Sequence, residues 1–412
     1  MSTIGQNLSA LGFAAVIAVV DREQARPERV RRHFQVEPAS QFASASLAAA
    51  REAGEDDPQP EPARVYPNLG IVYGTVDRGG YSALKADPAV TRVNLAPQLS
   101  PIRPVDAPVA TALEVDHTWG LTAMGVPQLW GLGLTGSGVK VAHLDTGVDA
   151  SHPALEKAVT MFAEFGMDGR EIAGAEPRDS DPRSHHGTHT AATVAGRPVD
   201  NRHVGVAPGC EVLSALVIEG GDVIARILGG MDWAVGNEVR ILSMSLGIRG
   251  VVNDFLGVLD ALLDNRVLPV IAVGNEGPGT SRSPGNYPQS LSVGAHDKAF
   301  AVADFSSSQR LNRRTQPLVP DIVGPGVDVI SAGPRGGWQS LSGTSMATPH
   351  VAGLAALLFE AEPAATPAQV ERAIFRSAQR GDMEQERVNR GAVHGVRALD
   401  ALRRQRIGAA RG

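Results

Sequence analysis

The chain has 412 residues, 43% hydrophobic and 20% charged, which is the composition of a folded globular protein and excludes wholesale disorder. Its 38 basic and 44 acidic residues leave a formal charge of −6, which excludes a general affinity for nucleic acid or anionic membrane. Its length suits one large domain plus a smaller one, and its single cysteine, Cys210, excludes an intrachain disulfide.

The apolar run LGFAAVIAVV follows no Lys or Arg and is too short to span a membrane, so it is predicted to be a buried strand rather than an export signal. That favours a cytoplasmic protein, with secretion as the alternative. A basic patch (ARPERVRRHF) and an Ala-rich helical stretch over 44–51 come next, then an acidic, Pro-rich linker, GEDDPQPEPAR, at 54–64. LGIVYGTVD reads as a strand, GGYSALKADPAV as a short helix with a turn, and TRVNLAP as another strand. Residues 1–105 are therefore a small α+β unit, roughly β-α-β-α-β. Residues 100–116 hold three prolines and no clear periodicity, so a linker is expected over 106–118.

From 119 to 412, strands and helices alternate. VKVAHLD, GCEVLSALVI, VRILSMSLG and VLPVIAVGNEG read as strands, and HGTHTAATVAG, VIARILGGMDWAVG and NDFLGVLDALLDN as helices. The alternation implies an α/β domain with a parallel sheet, whose chemistry lies in the loops at the carboxyl ends of the strands. Cys210, beside such a strand, reads as a small core residue.

Three positions at element boundaries carry chemistry. Asp145 ends VKVAHLD, His186 opens a helix in HHGTHTAATVAG, and Ser345 opens another in SGTSMATPHVAG. An acid, a base and a hydroxyl brought to one cleft form a relay in which the acid orients the imidazole, the imidazole takes the hydroxyl proton and the oxygen attacks a carbonyl. Asn275, past a strand end in AVGNEG, is placed to donate to the oxyanion beside the Ser345 backbone N–H. Singly these residues read as caps, turns and a surface histidine; only their combination argues for a site.

VAHLDTGVDASHP, HHGTHTAATVAG, SMSLG, AVGNEG and GTSMATPHVAGLAALL, in this order, resemble the signature blocks of the subtilisin family of serine peptidases, from about Val126 to Leu402. The resemblance implies a three-layer α/β fold around a mainly parallel seven-stranded sheet, and an endopeptidase acting through an acyl-enzyme. It assigns Asp145 as orienting acid, His186 as general base, Ser345 as nucleophile and Asn275 as oxyanion donor; His185 and His189 are neighbours. It also implies that Ser245, Leu246 and Gly247 pair with the substrate backbone, and that Ala272, Val273 and Gly274 wall the pocket for the side chain before the cut. Arg282, near the expected pocket floor, is expected either to bias cleavage toward acidic residues or to be an exposed loop arginine.

Where the family often places calcium ligands, this chain has Ala154 and Val199, so the strong calcium site is expected to be absent; Asp200 and Asn201 substitute only with a register change. The close of the first unit, KADPAVTRVNLAPQLSPIRP, is similar to the end of the family's propeptide domain. It implies an intramolecular inhibitor and chaperone, cut off by Ser345 between Pro101 and His117, a window that includes Glu114 and Asp116. The partners implied are protein or peptide substrates, with no nucleic acid and no membrane. Three rival readings are a non-catalytic scaffold, an aspartic peptidase built on Asp145–Thr146–Gly147, and a zinc hydrolase built on His185, His186 and His189. The second Asp-Thr-Gly motif and the HExxH spacing that the last two need do not occur.

Overall fold

The computed structural model of the protein describes residues 3–35, 44, 48, 61–219 and 223–409. The first apolar run is strand β1 (Phe13–Val20), followed by β2 (Ala63–Tyr66), β3 (Ile71–Asp77) and β4 (Val90–Leu95). They form an antiparallel sheet in the order β2-β3-β1-β4. Helix α1 (Ile4–Ala10) begins at a reciprocal capping box between Thr3 and Gln6, and α2 (Arg78–Ala86) is capped by Asp77.

The unit is α+β as expected, but its described elements run α-β-β-β-α-β. The basic patch closes into a 3-10 helix, Pro27–His33, and the last residues of the supposed linker, Ala63 and Arg64, open β2. The helix expected over 44–51 lies outside the described residues except for Ser44 and Ala48, both helical, as does the acidic run 54–60.

Strand β3 is buried from Ile71 to Val76, with a side chain facing each way in turn. Val72 and Val76 pack with Val16 and Ala18 in the unit's own core, whereas Ile71, Tyr73 and Ile17 join the core of the second part. A sheet buried on both faces is docked.

Two short strands follow, β5 (Ser100–Pro101) and β6 (Val109–Thr111). The main sheet then takes β7 (Lys140–Asp145), β8 (Val159–Glu164), β9 (Glu211–Leu216) and β10 (Ile241–Met244). After β11 (Leu246–Arg249) it adds β12 (Leu268–Ala272), and after β13 (Arg282–Ser283) it adds β14 (Leu291–His296) and β15 (Ile322–Pro325). All its pairings are parallel, in the order β15-β14-β12-β10-β7-β9-β8. The seven-stranded expectation holds.

Helices cover both faces because the strands are apolar on both. Val141 of β7 packs with α3 (His186–Ala195), α6 (Thr344–Ala361), α7 (Pro367–Ser377) and α8 (Gly395–Ala409). Its neighbours Ala142 and Leu144 pack with α4 (Ile224–Gly236) and α5 (Leu256–Asp264). The first unit docks on α4 and α5: Tyr66 Oη donates to Ala225 O at 3.0 Å, and Asp232 Oδ1 accepts from Leu69 N–H at 3.0 Å.

The expected linker is stitched onto the catalytic part. Strand β6 pairs with β17 (Trp338–Leu341), itself paired with β16 (Val329–Ala332), and His117 bridges to His203. Cys210 is buried, and burial pushes its thiol up to about 12, as suits an inert core residue. Among the described residues, no helix is long and apolar enough to cross a membrane.

Candidate active site

The strand order reverses around β7: β8 and β9 lie to one side, β10, β12, β14 and β15 to the other. Such a switch point opens a crevice beyond the carboxyl ends of the strands. Asp145, the last residue of β7, stands there and is 1% exposed. The chain then turns at Gly147 (φ +95), where a Cβ would meet Leu216 Cδ1 at 3.1 Å, so the turn needs glycine. Asp179 fastens this turn to α3, accepting from Thr146 Oγ1 at 2.8 Å and from Thr188 N–H at 2.9 Å.

Helix α3 begins at His186, and its small residues let it lie buried along its whole length. His186 Nδ1 lies 2.7 Å from Asp145 Oδ1, which also accepts from Thr146 N–H at 2.7 Å. Burial opposes the ionised carboxyl, but the His186 charge and hydrogen bond win and hold Asp145 below the ordinary carboxylate range. An ionised carboxylate only accepts, so Nδ1 carries the proton and Nε2 holds the lone pair. For His186, burial would lower the pKa, yet the Asp145 charge and hydrogen bond overcome it and raise it. His186 Nε2 is buried and has no hydrogen-bond partner.

Ser345 is the second residue of α6 and is fully buried. Its hydroxyl donates not to His186 but to Ile102 O, at 2.7 Å. Asn275 is clamped by the same helix start: its Oδ1 accepts from Thr344 N–H at 2.9 Å and Thr344 Oγ1 at 2.8 Å. That turns its Nδ2 outward to donate to Arg103 O at 2.8 Å. A Cβ on Gly343 would stand 3.1 Å from this Nδ2, so the residue ahead of the helix has to be small. The opening Gly-Thr-Ser run thus makes room for the amide and fixes its direction.

A model of the subtilase family matches residues 136–395. The chain belongs to this family. It is 32% identical over 302 residues to subtilisin E of Bacillus subtilis (strain 168), covering 72% of each chain. It is 34% identical over 258 residues to a subtilisin of Bacillus pumilus, covering 61% of this chain and 88% of that one. With M-protease of Shouchella clausii (strain KSM-K16) the identity is 34% over 291 residues, covering 70% of this chain and 71% of that one. The protein is a serine endopeptidase.

In this subtilase the cleft holds the chain's own segment. Strand β5 pairs antiparallel with β11, with Pro101 opposite Leu246 and Ser100 opposite Gly247, and Ile102 N–H donates to Ser245 O at 3.0 Å. Val105 N–H donates to Ser342 O at 2.9 Å on the far side. Leu246 and Gly247 thus receive an added strand beside Ser245. Of the residues in the expected processing window, Ile102 O accepts from Ser345 Oγ and Arg103 O from Asn275 Nδ2.

Arg282 is not the exposed loop arginine that one expectation allowed. It is 7% exposed, and its guanidinium is engaged by Glu276, with Nε 2.9 Å from Oε1 and Nη2 on the same oxygen. That oxygen also lies 3.4 Å from Arg249 Nε.

Sequence reading also missed His143. Its Nδ1 meets Ser214 Oγ at 3.1 Å and its Nε2 meets Thr190 Oγ1 at 2.9 Å; that hydroxyl is 3.4 Å from Asp145 Oδ2. Burial pushes His143 down to about 4, so it stands neutral behind the carboxylate, with its Nε2 3.8 Å from Asp145 Oδ2. The signal was present: residues i and i+2 of a strand share a face, and His143 is two before Asp145.

Ala154 and Val199 are both held by backbone bonds. Ala154 is buried with its N–H on His152 Nδ1 at 3.1 Å, and Val199 exchanges backbone bonds with Arg202. Neither side chain carries an oxygen.

Proposed function

We propose that Asp145, His186, Ser345 and Asn275 cleave peptide bonds through an acyl-enzyme, and that the enzyme is a zymogen that cuts its own chain after Ile102. In the first step His186 Nε2 takes the Ser345 Oγ proton as Oγ bonds to the carbonyl carbon. The carbonyl electron pair moves to oxygen, where Asn275 Nδ2 and the Ser345 backbone N–H meet the charge. His186 then returns the proton to the leaving amine as the C–N bond breaks, and water repeats the sequence on the ester. Asp145 holds Nδ1–H and stabilises the imidazolium that forms in between. The lone pair on Nε2, with nothing else bonded to it, supports the role of His186 as base.

The observation that carries the zymogen reading is the Ser345 Oγ bond to Ile102 O on a segment already added to β11 as a strand. In this arrangement Asn275 serves Arg103 O, one carbonyl further on, and Ser345 is turned from His186. It is therefore an inhibited state. Attack requires Ile102 O to take the Asn275 amide and Ser345 to rotate to His186. The first unit, docked on α4 and α5, holds the segment in place and acts as intramolecular inhibitor and folding template.

Intact-mass measurement of the wild type and of Ser345→Ala tests this. The expected result is a wild type split after Ile102 and an unbroken variant; a wild type that stays whole after prolonged incubation, while cleaving added peptides, overturns self-processing. Replacing Asn275 with Leu should lower kcat by about 10²–10³-fold with little change in KM, since it removes a donor used mainly when the oxyanion forms. The apolar residues at 154 and 199 lead to a calcium-independent fold. Millimolar calcium is expected to leave the melting temperature unchanged, whereas a site held at 100 times its Kd would add about 2.7 kcal/mol.

A further inference from the structure

Resting on that reading of the cleft, we infer that the Arg282–Glu276 pair fills the pocket for the side chain before the cut and restricts it to small aliphatic residues. The family resemblance implies that this pocket lies between two walls, Ser245 to Gly247 and Ala272 to Gly274. Arg282 is bonded to both. Its backbone N–H donates to Val273 O at 2.9 Å, and its Nη1 donates to Gly247 O at 3.1 Å. The same Nη1 reaches the segment in the cleft, donating to Ser100 Oγ at 3.2 Å.

The glycines of both walls show how little space remains. A Cβ on Gly247 would lie 3.1 Å from Arg282 Cβ and 2.8 Å from Ser283 O. A Cβ on Gly274 would lie 2.7 Å from Glu276 Oε2 and 3.1 Å from Arg282 Cγ. The volume that two side-chain-free walls would leave open is taken up by an arginine stem and a carboxylate. The ion pair is fixed rather than fluid. Glu276 Oε2 also lies 3.3 Å from Ser307 Oγ, which donates to it, and burial, though it opposes the charge, is outweighed by Arg282 in keeping Glu276 ionised.

An aromatic or long side chain before the cut would have to push the guanidinium out. Doing so breaks its bonds to Glu276 and Gly247 O and strands a buried carboxylate, a penalty that a short side chain avoids. The residue occupying this register in the chain itself, Ile102, is aliphatic and 1% exposed.

The test uses the wild-type chain incubated until intact mass shows the cut after Ile102, and fluorogenic peptides identical except for Ala, Ile or Phe before the scissile bond. The expected kcat/KM is higher for Ala and Ile than for Phe by about 10-fold or more, the scale on which pocket volume discriminates. The double variant Arg282→Gly, Glu276→Ser should raise the Phe rate relative to Ala at least about 10-fold. A wild type that cleaves the Phe peptide as well as the Ala peptide overturns the inference, and this result stands even if the double variant does not fold. So does a folded double variant whose Phe-to-Ala ratio is unchanged. A serine-directed fluorophosphonate probe separates the two levels of the argument. Failure of the probe to label enzyme already cut after Ile102, with no peptide cleaved, refutes the catalytic reading itself, whereas labelling with cleavage that prefers Phe refutes only the filled pocket.

Discussion

Ser345→Ala is expected to lower kcat on peptide substrates by about 10⁶-fold, the scale found when the triad serine of a subtilisin is removed. The loss is large because the hydroxyl forms the bond that the rest of the site only assists, and no neighbouring group on α6 replaces it: Thr344 Oγ1 and Thr348 Oγ1 are both bonded elsewhere. Binding should change little. Ser345 gives one hydrogen bond to Ile102 O, while the segment keeps its β11 pairing and its bonds to Asn275 and Ser342. A net contribution of about 1 kcal/mol is expected for that one bond. Because the variant keeps its uncut segment in the cleft, the comparison is made on kcat at saturating substrate, which should collapse. A variant retaining even a hundredth of the wild-type kcat would remove Ser345 from the nucleophile's place.

Asp145→Asn should cost about 10⁴-fold in kcat and also move the pH profile, which makes it the more informative change. Asn retains the shape of the carboxylate but removes its charge, and its amide favours the imidazole tautomer with the proton on Nε2, the wrong nitrogen. The direction of the pH shift follows from the balance at His186. Its base form is neutral, so activity falls as pH drops through its pKa. With Asp145 present that pKa is raised, and the rising limb of the wild-type profile is expected above the ordinary histidine value of 6.5. Without the Asp145 charge, burial acts with its main opponent gone, and the limb should move to lower pH. Activity measured across pH 5 to 9 checks both features. A variant that loses rate with an unmoved limb would mean that Asp145 acts through orientation alone.

Several conclusions were already legible in the residues. Strand β7 and helices α3 and α6 were foreseeable because their apolar or small-residue patterns are local, as are the boundaries that place Asp145, His186 and Ser345 at element ends. Asn275 after β12 was found in the same way. The family followed from short blocks whose order along the chain carries as much information as their content. The N-terminal unit was legible as α+β but not in element order, because a short polar helix such as Ile4–Ala10 owes its start to one capping box rather than to periodicity.

What the sequence by itself determined is the family, the element ends at which Asp145, His186, Asn275 and Ser345 stand, and the sheet class that brings strand ends together. Only the tertiary structure decided what those groups meet. Arg282 is a loop residue in the sequence, yet it is buried against Glu276 and the backbone of Gly247, because pairing of β13 with β11 carries it there. The segment after Leu99 resembles a propeptide's close in the sequence, but its register, with Pro101 opposite Leu246 and Ser100 opposite Gly247, comes from the edge of β11 that it completes. His143 stands behind Asp145 through Thr190, a residue of α3 that is remote in the chain. Local patterns are set by period and capping within a few residues, whereas cleft occupancy joins Ser345 to Ile102 across 243 positions and the Arg282 contacts depend on the pairing of β13 with β11. They exist only once the chain is packed.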